Sequence, residues 1–120
     1  MTGATQKLAE LKQFFGMVRF PLNDEKKLQA AMQEHLDGGG RAFTREHVLG
    51  PGDVVDFMVD GIAVEVKIKG QRRAIYRQCK RYAAHEAVEG LLLITNVAMG
   101  FPEDMEGKPT AVLNLGRAWL

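Results

Sequence analysis

The chain has 120 residues, of which 46% are hydrophobic and 26% are charged, proportions typical of one globular domain. Its formal net charge of +1 says nothing for or against a nucleic-acid partner, and its single cysteine excludes an intramolecular disulfide. No apolar run approaches the ~20 residues of a membrane span, and the N-terminus lacks the layout of a signal peptide. We therefore expect no membrane partner and a reducing, cytoplasmic environment.

The first 22 residues are predicted to form an N-terminal arm or a short helix. Thr5 is a candidate cap, and the apolar stripe that follows it consists of Leu8, Leu11 and Phe15. Such a segment packs either on its own domain or on a second subunit, and the sequence leaves that choice open. Residues 23–120 are expected to form the main body of the domain.

A second helix is predicted from Asp24 to about Leu36, with Asn23 as its cap. Its apolar stripe consists of Leu28, Met32 and Leu36. At about 100° per residue, Glu25 falls within that stripe. A glutamate at this position is explained either by the helix dipole, which favours acids in the first turn, or by a role in the interior.

Residues 41–49 alternate well enough to predict a strand that leads into the next element. Glu46 and His47 then lie on opposite faces of that strand. Glu46 is either a site acid or a solvated side chain, and His47 either approaches a substrate or is an ordinary surface histidine. No cluster of cysteine and histidine has metal-ligand spacing, which argues against zinc.

The next stretch is typical of a β-hairpin, because two β-rich runs flank the dipeptide Asp60-Gly61. A two-residue turn there pairs Phe57 with Val64 and Asp56 with Glu65. Alternation sorts the side chains into two faces. The apolar face carries Val55, Phe57, Val59, Ile62, Val64, Val66 and Ile68. The other face carries Asp56, Met58, Ala63, Glu65 and Lys67.

Two opposed carboxylates on a hairpin need an explanation, because like charges directly opposite each other destabilise a sheet. A cation between Asp56 and Glu65 would supply one. Oxygen donors in this number suit Mg²⁺, which binds through one or two carboxylates and keeps water or substrate phosphate as its other ligands. The alternative is a solvated strand edge with ordinary charges.

A helix is predicted from Gln71 to about Glu86, with an inner face formed by Ile75, Cys79, Tyr82 and Ala83. Seven of the 16 basic residues and no acidic residue lie between positions 67 and 81, so positive charge is concentrated beside the hairpin. We expect phosphate contacts from this region rather than a merely solvated face. The candidate nucleic-acid-binding residues are Lys69, Arg72, Arg73, Arg77, Lys80 and Arg81.

The C-terminal third is predicted to hold two strands. Residues 91–95 form a continuous apolar run, which indicates a strand buried on both faces and parallel to the second hairpin strand. Residues 101–109 are predicted to be a loop and residues 110–115 a last strand. Trp119 either closes the core of the domain or anchors a partner.

The combination of Asp56 with Glu65-Val66-Lys67 resembles the motif of the PD-(D/E)XK nuclease superfamily. The first half departs from that motif, because Pro51-Gly52-Asp53 precedes Asp56 in place of a clean Pro-Asp pair. Asp53 is therefore a rival for the metal-binding aspartate, but its parity places it on the apolar face and favours Asp56. The resemblance covers residues 23–115 and implies an α/β fold of the restriction-endonuclease-like type, with an α-β-β-β-α-β core.

A second motif adds to this resemblance. Gln78 and Tyr82 match the Q-x-x-x-Y pattern, which is similar to a motif of RecB-like nucleases that follows the E-x-K strand and supports the site. Positions four apart share a helix face, so the two side chains can point together towards the hairpin. The alternative is ordinary helix packing.

The resemblance implies the roles of the site residues. Asp56, Glu65 and the Val66 carbonyl would hold Mg²⁺, for which Mn²⁺ can substitute. Lys67 would act near the attacking water, and Glu25 would supply one more acid, a role that Glu46 could fill instead.

The expected function is a Mg²⁺-dependent DNA endonuclease that acts on duplex or branched DNA as a homodimer. So small a chain has no room for a target-reading domain, which favours structure-directed cleavage, like the compact VRR-NUC or junction-resolving branches of the superfamily. A phage or prokaryotic source would fit. The alternatives are a non-catalytic nucleic-acid-binding module of the same fold and a Mg²⁺ phosphohydrolase that acts on small nucleotides.

Overall fold

The computed structural model describes residues 3–118, which form ten elements of secondary structure. In chain order these are α1 (Ala4–Gly16), α2 (Glu25–Gly38), β1 (Thr44–Gly50), β2 (Asp53–Val59), β3 (Ile62–Lys67), α3 (Arg72–Ala83), β4 (Gly90–Thr95), β5 (Asp104–Met105), β6 (Lys108–Asn114) and α4 (Leu115–Ala118). Within this described range, no helix has the length and apolar character that crossing a membrane requires.

The strands form one mixed sheet in the order β1-β2-β3-β4-β6-β5. The first three strands are antiparallel neighbours, whereas β3, β4 and β6 are parallel. Helix α3 connects β3 to the parallel strand β4. All six residues of β4 are buried, as the apolar run at 91–95 predicts. The α/β class and the order helix, three strands, helix, strand are therefore observed from α2 to β4.

Helices cover both faces of the sheet. On one face, the apolar stripes of α1 and α2 pack against side chains such as Phe57, Val64 and Leu92. On the other face, α3 packs Ile75 and Tyr82 against the sheet. The N-terminal segment thus packs on its own domain, and its predicted stripe of Leu8, Leu11 and Phe15 is buried there.

The hairpin turn follows the prediction made from Asp60-Gly61. Both residues have positive φ, 49° and 82°, as the favoured two-residue hairpin turn requires. The pairing of Phe57 with Val64 confirms the predicted register. The assignment of Val55 to the same face as Phe57 was wrong, because Val55 packs in the cluster around α3.

Several predicted boundaries were wrong by a few residues. Gly3, not Thr5, is the N-cap of α1, and Asp24, not Asn23, is the N-cap of α2. The Asp24 carboxylate accepts a hydrogen bond from the Lys27 amide at 3.0 Å, the bond that defines a cap of this kind. Helix α3 ends at Ala83 and not at Glu86.

The prediction of a loop at 101–109 was also wrong. β5 pairs with the start of β6 across a turn at Glu106-Gly107, where φ is again positive at both residues, 52° and 76°. The two-residue β5 is too short to produce an alternating pattern in the sequence. The prediction for Trp119 lies outside the described residues.

Candidate active site

The two opposed carboxylates lie where the regular pairing of β2 and β3 stops. Beyond the Phe57–Val64 pair, the Asp56 amide donates to Glu65 Oε1 at 3.2 Å, and the Val66 amide donates to Asp56 Oδ2 at 2.8 Å. Each carboxylate thus binds the backbone of the opposite strand. The observed strand pairs end at Phe57–Val64, so Asp56 and Glu65 meet through their side chains and not as the predicted strand pair.

The Asp56–Glu65 pair is enclosed rather than solvated. Glu65 is 2% exposed and Asp56 is half-buried, which excludes a solvated strand edge. Burial, followed by the charge of Asp56, raises the pKa of Glu65 to about 8. Burial also raises the pKa of Asp56, and a hydrogen bond joins the two carboxyl groups. Two buried acids that keep a proton near neutral pH lack compensating positive charge.

Lys67 supplies part of that charge. Its Nζ lies 3.6 Å from Glu65 Oε2, and its side chain is 26% exposed, so the ammonium group sits between the buried pair and solvent. Lys67 also borders an open cleft of about 310 Å³. The other residues that line this cleft are Lys69, Gly70, Gln71, Ala74, Ile75, Gln78 and Arg81. A negatively charged ligand entering the cleft would meet three cationic side chains, Lys67, Lys69 and Arg81.

The donor set fits Mg²⁺ better than a metal held wholly by the protein. Within residues 3–118, no group of three or more His, Cys, Asp or Glu side chains forms a metal centre. Asp56 and Glu65 are two hard oxygen donors, and the adjacent Val66 carbonyl is a possible third. Mg²⁺ characteristically binds through one or two carboxylates and keeps its waters, whereas structural zinc needs four nitrogen or sulfur ligands.

Glu25 reaches the same end of the hairpin from α2. Its Oε1 accepts a hydrogen bond from the Ile68 amide at 3.2 Å, next to Lys67 in the chain. The charge of Glu25 also acts to raise the pKa of Asp56, although burial has the larger effect. The sequence prediction that Glu25 turns inward agrees with this contact.

Gln78 and Tyr82 link α3 to β2. Gln78 Nε2 donates to Tyr82 Oη at 2.8 Å, and Tyr82 Oη donates to the Val54 carbonyl at 3.0 Å. Burial is the main cause that raises the pKa of Tyr82 to about 12, so the hydroxyl keeps the proton that it donates. The two side chains point together towards the hairpin, as their spacing predicts.

Asp53, the rival aspartate, is engaged elsewhere. Its Oδ1 accepts from Arg81 Nε and its Oδ2 contacts His85 Nε2, both at 2.9 Å. The hydrogen bond with His85 is the main cause that lowers the pKa of Asp53, followed by that with Arg81. Asp56 is therefore the aspartate that meets Glu65. The parity argument nevertheless misplaced Asp53, which contacts α3 and the segment after it and does not lie on the face of Phe57. His85 was not identified from the sequence, because 32 residues separate it from its partner.

The basic residues of α3 differ in their surroundings. Arg72, Arg73 and Arg77 are exposed, whereas Arg81 is paired with Asp53, and Lys80 Nζ lies 3.9 Å from Glu106 Oε1. Lys69, just before the helix, is exposed and borders the cleft. The exposed arginines leave a positively charged surface on α3, the helix that also lines the cleft bordered by Lys67.

The two candidates on β1 lie apart from these contacts. Glu46 is exposed and has φ of 51°, an irregular conformation for a strand residue. His47 is half-buried and bonds to Thr44 Oγ1 at 2.9 Å. No contact with the carboxylate pair is observed for either residue among those described.

One buried polar residue near the site has no signal in the sequence. Thr95 is fully buried at the end of β4, and its Oγ1 donates to the Lys67 carbonyl at 2.5 Å. In the sequence it only closes the apolar run at 91–95, where a threonine is an ordinary strand residue. Its importance depends on the parallel register that places it opposite Lys67.

Comparison with known proteins returned no relative: no protein-family model, no curated protein and no solved structure matches the chain. What the site does is therefore inferred from its own geometry and chemistry.

Proposed function

We propose that this protein is a Mg²⁺-dependent DNA endonuclease of the PD-(D/E)XK type, a phosphodiester hydrolase. The observation that carries the proposal is the enclosed Asp56–Glu65 pair with the Lys67 ammonium 3.6 Å from Glu65. The order of elements from α2 to β4 agrees with the α-β-β-β-α-β core of restriction-endonuclease-like folds. Buried acids that repel each other are costly to a fold, and a hard cation would offset that cost.

Each site residue then has a defined task. Bound Mg²⁺ would supply a water of lowered pKa and neutralise charge that develops on the phosphate. Asp56 and Glu65, with the Val66 carbonyl, would hold the ion. Lys67 would orient the attacking water and stabilise the anionic transition state from the solvent side of the pair. Gln78 and Tyr82 keep α3 docked on β2 and so preserve the enclosure.

The proposed substrate is a nucleic-acid backbone, because exposed Arg72, Arg73 and Arg77 lie on the helix that leads away from the cleft. Arginine contacts to phosphates provide affinity but little base information. We therefore propose structure-directed rather than sequence-specific cleavage of duplex or branched DNA, in the cytoplasm of a prokaryotic or phage-infected cell.

The proposal is tested by incubating supercoiled plasmid with the protein in Mg²⁺ or EDTA. Cleavage should require the metal, and Glu65→Gln should reduce it by at least about 100-fold. Glu34→Gln, on the exposed face of α2, is the matched control and should cleave like the unaltered chain. Full cleavage by Glu65→Gln would refute the assignment of the site.

The same assay separates the alternatives. A non-catalytic nucleic-acid-binding module would shift DNA in a gel without cutting it in Mg²⁺ or Mn²⁺. A phosphohydrolase acting on small nucleotides would release phosphate from nucleoside triphosphates and leave the plasmid intact. The cleft is open rather than closed around a small ligand, and this favours an extended substrate.

We further propose that the active form is a homodimer, because one carboxylate pair cuts one strand and paired cuts need two sites. Leu8, Leu11 and Phe15 are buried within the domain, so they do not provide the apolar dimer surface that the sequence suggests. Light scattering at micromolar concentration tests this: a mass of twice the chain mass of 13.3 kDa is expected, and a mass equal to it would refute the dimer.

A further inference from the structure

The peptide bond between Lys67 and Ile68 is held from both sides. On one side its N–H donates to Glu25 Oε1 of α2 at 3.2 Å. On the other side its carbonyl accepts from Thr95 Oγ1 at 2.5 Å and from the Asn96 amide at 3.2 Å. This peptide is the last of β3, and it carries the residue that contacts Glu65.

The Thr95 hydroxyl makes hydrogen bonds to two different backbone segments. Its Oγ1 also accepts from the Val97 amide at 3.0 Å, and the Val97 carbonyl accepts from Asn114 Nδ2 at 2.8 Å. Val97 borders a second cleft, which it shares with residues 70–73 at the start of α3. One buried hydroxyl therefore couples the backbone of Lys67 to the wall of the groove beside the basic helix.

Such a clamp matters for a lysine in particular. The lysine side chain is a flexible four-carbon stem with a single charge at its tip. A fixed backbone at its base limits the region that the charge can reach, and the contact with Glu65 then selects one position within it. In a reaction that needs the ammonium next to one oxygen, a displacement of about 1 Å can cost about 100-fold in rate. The neighbouring bonds that fix such a group are part of how a site works.

We propose that Glu25 and Thr95 are positioning residues for Lys67, which clamp the Lys67–Ile68 peptide and so keep the ammonium group beside Glu65. This inference rests on the proposed nuclease function and deepens it. It assigns Glu25 to the orientation of Lys67 and not to the metal, in agreement with the finding that no third acid joins Asp56 and Glu65 in a metal group within residues 3–118.

A double-mutant cycle on single-turnover cleavage tests this role. Thr95→Val keeps the shape but removes the hydroxyl, and it should lower the rate by about 10-fold to 100-fold at unchanged DNA affinity. In a Lys67→Ala background the same substitution should change the rate less than about twofold, because its target is already gone. Equal losses in both backgrounds would show a merely structural role and overturn the proposal.

Two further variants control for folding. Thr95→Ser retains the hydroxyl and should restore cleavage to within about threefold of the unaltered chain. Thr110→Val is the matched control, since Thr110 Oγ1 makes a similar bond to the Pro102 carbonyl at 2.5 Å outside the site. A loss as large in Thr110→Val as in Thr95→Val would overturn the inference. Glu25, the second positioning residue, is tested in the same way. Glu25→Ala should lower the cleavage rate relative to Glu34→Ala, and the loss should disappear in the Lys67→Ala background.

A readout that needs no cleavage separates this inference from the proposed function. Acetylation of Lys67 by acetic anhydride, measured by mass spectrometry against exposed Lys26, reports how firmly the ammonium is held. In Thr95→Val the relative rate should rise by about threefold or more, because a released lysine head extends into water. An unchanged rate would overturn the clamp even if the protein cuts DNA. A raised rate in a protein that cuts no DNA would support the clamp and refute the nuclease.

Discussion

Glu65 should make the stability of the metal-free protein depend on pH in a direction opposite to that of an acid whose pKa is lowered on folding. Its pKa is raised from 4.5 to about 8, mainly by burial and then by Asp56. Between these two values the folded state binds a proton that the unfolded state has lost. Stability is therefore greatest at low pH within this window and falls as the pH rises towards 8.

The size of the effect follows from the same two values. Each pH unit between the unfolded and folded pKa is worth about 1.4 kcal/mol, so raising the pH from 6 to 9 should cost about 3 kcal/mol. For a domain of this size that loss lowers the melting temperature by about 10 °C. Glu65→Gln cannot ionise, so its melting temperature should be nearly flat across this range and above that of the unaltered chain at pH 9.

Thermal unfolding followed by circular dichroism in EDTA measures both curves, with Glu34→Gln as the control. Added Mg²⁺ should reverse the loss in the unaltered chain and have little effect on Glu65→Gln, and its apparent affinity should rise with pH as the pair loses its proton. Parallel curves for Glu65→Gln and the unaltered chain would refute the idea that Glu65 is a buried, proton-holding acid.

Three further outcomes are expected. Lys67→Ala should lower cleavage by at least about 100-fold while calorimetry still detects Mg²⁺ binding, and an equal collapse of metal affinity would instead make Lys67 structural. Reversal of Arg73 and Arg77 to Glu should weaken binding to all DNA sequences and flatten its salt dependence, whereas an unchanged salt slope would identify an ordinary solvated face. Leu11→Ala should cost about 3 kcal/mol in denaturant unfolding, because Leu11 is 2% exposed, and a cost near zero would contradict the packing of α1 in the core.

The hairpin between β2 and β3 was predictable in part from its turn residues. Asp60-Gly61 specifies a turn that needs positive φ at both residues, and a two-residue turn determines the register of the strands it joins. The pairing of Phe57 with Val64 was therefore predictable from the turn, and the inner face of α3 was predictable from helical spacing. The same chemistry at Glu106-Gly107 was missed, because β5 is only two residues long.

The local environment of each acid was not predictable from spacing. Asp53 and Asp56 are three residues apart, yet one pairs with Arg81 and His85 while the other faces Glu65. The partners of Asp53 arrive on α3 and just after it, about 30 residues later in the chain. Their approach depends on how the helix docks on the sheet, which no local pattern encodes.

What the sequence by itself determined is the set of chemical groups on one face of one hairpin, because alternation and turn geometry act between near neighbours. Only the tertiary structure decided that Glu65 is enclosed and that α1 belongs to the core. It also decided that Glu25 and Thr95 meet the same peptide, although 70 residues separate them along the chain. These outcomes depend on the packing of α2 and β4 on either side of the end of β3, where hydrogen bonds form only after the whole sheet has assembled.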